Sequence, residues 1–201
     1  MRALFFIAVL CGSLIGFAGS GFAMPVPGSK TPALASQSQP SRSDRLNQLF
    51  AKLKRESDPN VARQTAVAIE AIWQDSGSPT IDLLMKWTEK AITDKHYGTA
   101  LDLLDQVTML EPEYAEGWNR RATVHFLMSD YDKSMADIDR VLALEPRHFG
   151  ALSGMAAIFK VIGKDRLAMK ALERVLAIYP ADREAQDHLG ALAEELAGES
   201  I

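Results

Sequence analysis

The side chains that most often carry chemistry are few and scattered. His96, His125, His148 and His188 stand alone, without the short fixed spacing that gathers metal ligands. Cys11 is the only cysteine, so no disulfide framework and no paired redox motif can be built. No glycine-rich run could cradle a phosphate, and no nucleophile elbow presents a serine. Asp and Glu total 26 against 22 Lys and Arg, a formal net charge of −4. On helices this rich in charge they read as solvated faces. The acidic balance also lacks the basic face that a nucleic acid needs. The residue types therefore imply no catalytic group, no cofactor and no metal.

The pattern that does repeat is architectural. Pro112, Pro146 and Pro180 stand 34 residues apart (146−112 and 180−146). Each closes an apolar helical run, Leu104…Val107, Ile138…Val141 and Leu172…Val175. A constant period of this length is the spacing of a two-helix solenoid unit. Such a unit cannot bury its apolar face alone, so neighbours stack and share one core. Proline suits the junctions: it cannot continue the helix it follows, yet it fits the first turn of the next. Ala100, Ala122, Ala156 and Ala168 let paired helices approach closely, and large residues at helical spacing fill the seam. Turn signals at Asp94-Lys95-His96-Tyr97-Gly98, Ser129-Asp130-Tyr131-Asp132 and Gly163-Lys164-Asp165 separate the two helices of each pair. A surface-rich solenoid with no convergent chemistry argues for binding over catalysis.

These residues resemble the tetratricopeptide repeat (TPR). Trp118, Ala122, His125, Ser134, Ile138, Val141 and Pro146 of unit 115–148 fall where that family alternates bulky and small residues and ends on proline. Leu152, Ala156, Phe159, Ala168, Leu172, Val175 and Pro180 do the same in unit 149–182. Leu84, Thr88, Ala91, Ala100, Leu104, Val107 and Pro112 do so in unit 81–114. His125 and Ala91 at the eleventh place, and valine at the twenty-seventh, depart from the pattern. The three units cover about half of the chain. The resemblance implies an all-α, right-handed solenoid of antiparallel helix pairs. It implies that Trp118 packs between its own two helices and the preceding unit. A common variant of the repeat also places Asn-Arg on the first helix and Asp on the second. Here Arg120-Arg121 and Asp137 fill those places, so Arg121 is expected to pair with Asp137, because a buried charge left alone is costly.

The flanks extend this organisation. Arg2, the apolar stretch Ala3–Ala18 and the small residues Gly21 and Ala23 read as a secretory signal over 1–23, cleaved after Ala23. A retained anchor is the alternative. The valine and leucine before Cys11 do not suit lipidation. Cleavage would remove one cation, leaving 21 basic against 26 acidic residues, with no thiol and no stable membrane insertion. Residues 24–42, rich in Pro, Ser, Gly and Gln, are expected to be a flexible linker. Residues 43–78 carry the stripe Leu46, Leu49, Phe50, Leu53 and the cap-plus-proline signals Asp58-Pro59 and Ser78-Pro79. They are expected to form a degenerate helical pair in phase with the repeats. Residues 183–197 are expected to be a lone capping helix, apolar inside and acidic outside.

In the family, function resides in the concave groove lined by the first helix of each unit. The resemblance places Lys86, Glu89, Asn119, Arg120, Thr123 and Lys160 there as candidate partner-binding residues. Chaperone-binding members hold a C-terminal carboxylate with a Lys/Asn/Arg clamp. Met85 and Glu89 stand where that clamp needs Lys and Asn, so no such clamp is expected. The leading expectation is a non-enzymatic module that binds a peptide or protein in the periplasm or outside the cell. The alternatives are an accessory subunit of an envelope enzyme and a self-associating envelope scaffold.

Overall fold

The computed structural model describes residues 40–198, so the signal segment 1–23 and most of the linker 24–42 lie outside the described residues. Among those residues there are nine helices and no strand: α1 (Arg42–Leu53), α2 (Pro59–Gln74), α3 (Pro79–Thr93), α4 (Tyr97–Leu110), α5 (Ala115–Leu127), α6 (Tyr131–Leu144), α7 (Phe149–Val161), α8 (Asp165–Ile178) and α9 (Arg183–Gly198). The all-α solenoid is built from the hairpins α3–α4, α5–α6 and α7–α8, closed by α9. The second helices start at Tyr97, Tyr131 and Asp165, again at intervals of 34 (131−97 and 165−131).

Two local devices hold that period. The first helix of each hairpin ends on a residue with left-handed backbone: Lys95 (φ 59), Ser129 (φ 61) and Gly163 (φ 70). At each, the next amide reaches back five residues: His96 N to Ala91 O, Asp130 N to His125 O and Lys164 N to Phe159 O, all at 2.8 Å. This is the Schellman closure, which satisfies carbonyls that the helix end orphans. Between units, Tyr114 N bonds Glu111 O (3.0 Å), His148 N bonds Glu145 O (3.0 Å) and Asp182 N bonds Tyr179 O (3.2 Å). Each proline therefore occupies the second place of a four-residue turn, where its fixed φ fits. Pro112, Pro146 and Pro180 lie outside the helices, and not in the first turn of the next one as the sequence alone suggested.

Helices α2 and α3 start at Pro59 and Pro79 as the cap-plus-proline signals predict, but only one of the two caps forms. Ser41 and Asp44 form a complete capping box on α1, and the Asp58 carboxylate accepts from Asn60 N and Val61 N on α2. Ser78 makes no side-chain cap on α3. Its neighbour Ser76 donates instead to Asp82 Oδ1 at 2.5 Å.

The helical pair α1–α2 forms, but it does not stack on α3 as a further repeat, because α2 makes no substantial contact with α3. Gly77 (φ 75) turns the chain after α2. The apolar face of α2, Ala62, Ala66, Ile69 and Trp73, joins a core cluster with residues of α7, α8 and α9. Helix α2 runs along the edge formed by the turns between units. The Tyr114 hydroxyl donates to Gln74 O at 2.8 Å. Trp73 stacks on His148 (centroids 4.1 Å, interplanar angle 9°) and tilts against Phe149, which meets Tyr179 edge-on. Helix α1 lies behind it: the Arg147 guanidinium sits 4.1 Å above the Phe50 ring and donates to Asn47 Oδ1 at 2.9 Å. Aromatic and cation–π contacts of this kind are directional, so they fix where the strap lies as well as how firmly.

Trp73, 6% exposed, is the centre of this contact. Trp73→Ala is expected to lower stability by about 3–5 kcal/mol, the range for deleting a large buried aromatic. Urea unfolding measures it; a loss below about 1 kcal/mol would mean that α1–α2 rests only loosely on the solenoid.

Candidate functional site

The first helices α3, α5, α7 and α9 place equivalent side chains on one face. Three recesses follow one another there. One lies between α3 and α5, lined by Met85, Lys86, Glu89 and Arg120. The second lies between α5 and α7, lined by Asn119, Thr123, Phe126, Gly150, Gly154 and Ala157. The third, about 410 Å³, lies between α7 and α9 over Ala156, Leu172, Ala185 and Leu192, with Lys160, His188 and Glu195 at its rim. Ala157 lines both the second and the third. Short side chains at Gly150, Ser153, Gly154 and Ala157 leave α7 as the open floor between two taller walls.

The candidate groove residues do fall on this face, but two of its cations, Arg120 and Lys160, are already paired. Arg120 bonds Glu89 Oε2 at 2.5 Å and Glu116 Oε1 at 3.1 Å, linking α3 to α5. Lys160 is held by Glu195 of α9 and lies 3.6 Å from Asp165. Asn119 donates to Glu116 Oε2 at 3.0 Å. The Thr123 hydroxyl donates to the Asn119 carbonyl of its own helix. Lys86 is exposed. The face therefore presents an apolar floor and carboxylates already in use, rather than a row of open cations.

Arg121 holds the framework beneath. Its Nε and Nη2 donate to the two oxygens of Asp137 at 2.9 and 2.7 Å, a bidentate pair inside the unit. Its Nη1 donates to Asp105 Oδ1 (2.8 Å) and Thr108 Oγ1 (3.2 Å) on α4, so the same guanidinium also ties the unit to the preceding one. The Asp137 hydrogen bonds outweigh partial burial and hold Arg121 still more firmly protonated. Trp118 is half-buried: it packs on the α5–α6–α7 cluster under the guanidinium of Arg121, and its Nε1 donates to Pro112 O at 3.0 Å. His125 is a core residue, with Nε2 3.9 Å from Asp137 Oδ2; burial pushes its pKa down against the pull of Asp137 and Asp130.

One cluster was not foreseen from sequence. His148 Nδ1 accepts from Ala151 N at 3.1 Å and so caps α7, which leaves Nε2 directed toward Glu116 Oε2, 3.4 Å away. Both side chains are buried. Burial works to raise the Glu116 pKa, but His148, Arg120 and Asn119 together hold it below its ordinary value of 4.5. Glu70 of α2 faces this pair, and burial followed by the Glu116 charge pushes its pKa up. Glu116 and His148 sit at the second and last places of one unit, a pairing that the repeat numbering could have exposed. Glu70 could not have been found, since its place depends on where α2 docks.

Comparison with known proteins places this geometry. No family model matches the chain. A TPR repeat-containing protein of Rhizobium etli is 50% identical over 158 residues, 79% of this chain and 78% of that protein. The first TPR of Spaghetti (RPAP3), bound to an HSP90 peptide, superposes with a TM-score of 0.55 at 24% identity over 58% of this chain and 93% of its own. A MamA double mutant gives a TM-score of 0.54 at 26% identity, over 58% of this chain and 66% of its own.

Asp137 is 4% exposed, so losing its partner strands a buried charge. Arg121→Ala is expected to cost about 3 kcal/mol, as for one side of a buried pair. Asp137→Ala should also destabilise, and the double substitution should cost less than the sum of the two. Additive costs in a double-mutant cycle would dissociate the pair.

Proposed function

Because the chain belongs to the tetratricopeptide-repeat family, we propose that it is a non-enzymatic interaction module that holds a peptide or protein partner on the face formed by α5, α7 and α9. One observation carries this reading: adjoining recesses, floored by short and apolar side chains, meet at Ala157. An extended segment laid across α7 would place successive side chains into them. The Spaghetti repeat domain, which shares the fold, carries the peptide SRMEEVD, which supports a peptide-like ligand. The acidic terminus of that peptide does not suit this chain, where Glu89 stands in the groove and is already joined to Arg120. Ala157→Trp would fill both recesses from an exposed position, at little cost to folding. Crosslinked pull-down from the producing cell is expected to lose its partner with this variant while thermal unfolding is unchanged. Undiminished capture would move the binding site off this face.

We further propose that the protein is exported and works in the cell envelope. The support is the n-region Arg2, the apolar stretch Ala3–Ala18 and the small residues Gly21 and Ala23. Among the described residues no helix is long and apolar enough to cross a membrane. N-terminal sequencing of the protein recovered from its own cell should begin at Met24; an intact Met1 in the membrane fraction favours the anchor.

A further inference from the structure

Within this solenoid the third and seventh places of each first helix have a fixed task, which is to meet the second helix of the unit before. Gly117 approaches α4 so closely that an added Cβ would lie 2.7 Å from Val107 Cγ1. Arg121, four residues on, bonds Asp105 and Thr108 of the same helix. Ala151 and Met155 of α7, and Ala185 and Leu189 of α9, are likewise buried or half-buried in core clusters. The matching residues of α3 are Leu83 and Trp87. They have no second helix before them, because α2 lies along the turn edge instead. Leu83 is 45% exposed and Trp87 52% exposed. Met109 and Leu110 at the end of α4 are also exposed. Such a patch on a protein of this charge marks an interface more often than a solvated surface.

We propose that this end face is a dimer interface, in which α3 of one copy packs antiparallel against α3 of a second copy. The charges on the helix select both the occupant and its direction. Asp82 stands beside Leu83, Lys86 beside Trp87, and Lys90 one turn further on, where it also holds Asp94 of its own helix at 2.7 Å. When Leu83 faces Trp87 of the second copy, a residue's opposite number is found by reflection about position 85. Lys86 then stands opposite position 84, and Lys90 opposite position 80. Both ammonium groups come within about one helical turn of Asp82 of the second copy. A parallel arrangement would put the two charged rows on opposite edges of the contact, where they cannot pair. The antiparallel contact is isologous and closes on itself, so it makes dimers and not fibres. It leaves the face of α5, α7 and α9 open in both copies.

Sedimentation of the full chain across a concentration series tests this. The unaltered protein is expected to show a reversible monomer–dimer equilibrium. Trp87→Glu and, separately, Leu83→Glu should each weaken dimerisation at least about tenfold, as for residues central to an interface. Both replace exposed side chains, so their helical circular dichroism and thermal unfolding should match the parent. Met128→Glu, which charges an exposed apolar side chain elsewhere, should leave the dimer intact. A parent that stays monomeric at every concentration overturns the proposal. So does a dimer that survives both α3 substitutions, or one that Met128→Glu dissolves equally well.

Discussion

A helix hairpin of some thirty residues has two apolar faces to hide, and its own partner helix covers only one. Every other feature of this molecule answers that constraint. The three hairpins answer it by stacking, which is possible only if each presents the same face at the same angle. The left-handed turn residues Lys95, Ser129 and Gly163 set the angle within a hairpin, and the proline turns set it between hairpins. Where stacking ends, the solution changes. Helix α9 closes one end with Ala185 and Leu192 inward. At the other end α3 keeps its outward residues exposed while α1 and α2 bury their own apolar stripe elsewhere.

That arrangement separates two kinds of polar group. The bonds of Arg121 and the capping of α7 by His148 serve the framework; they are enclosed, oriented and multiply partnered. The bonds of Arg120 and Lys160 cross between first helices on an open face. Exposed ion pairs contribute little to stability and exchange readily with other charges. The face is thus rigid in its backbone and adjustable in its charges, a combination suited to docking an extended partner at small ordering cost.

Much of the fold was legible in the sequence because the repeat enforces itself three times. The period and the turn between paired helices follow from residues at fixed offsets, and the partnership of Arg121 with Asp137 is what the resemblance to the repeat implied. The placement of α1–α2 was not legible. Its stripe of Ala62, Ala66, Ile69 and Trp73 says that one side is buried but not against what, and its approximate phase with the repeats suggested one more unit. The deciding contacts, Trp73 on His148 and Arg147 on Phe50, join residues far apart in sequence. Lys86, Glu89, Asn119, Arg120, Thr123 and Lys160, which the sequence assigned to the first helices, do line the recesses of the face those helices form. Their ion pairing was not legible, since it depends on distances between helices of different units.

The strap also alters how the chain can come apart. An ordinary solenoid touches only its nearest neighbours, so end units can fray while the middle persists. Here one helix touches the turns at Tyr114, at His148 and Phe149, and shares a core with Tyr179. Helix α1 behind it adds a bond across the hundred residues between Asn47 and Arg147. A linear array is thereby turned into a closed circuit. Opening any one unit strains the tie to the others, which favours a single cooperative transition over stepwise peeling. The same long-range closure raises the mean sequence separation of contacts, so the molecule trades the quick local assembly of a repeat array for a slower, concerted one.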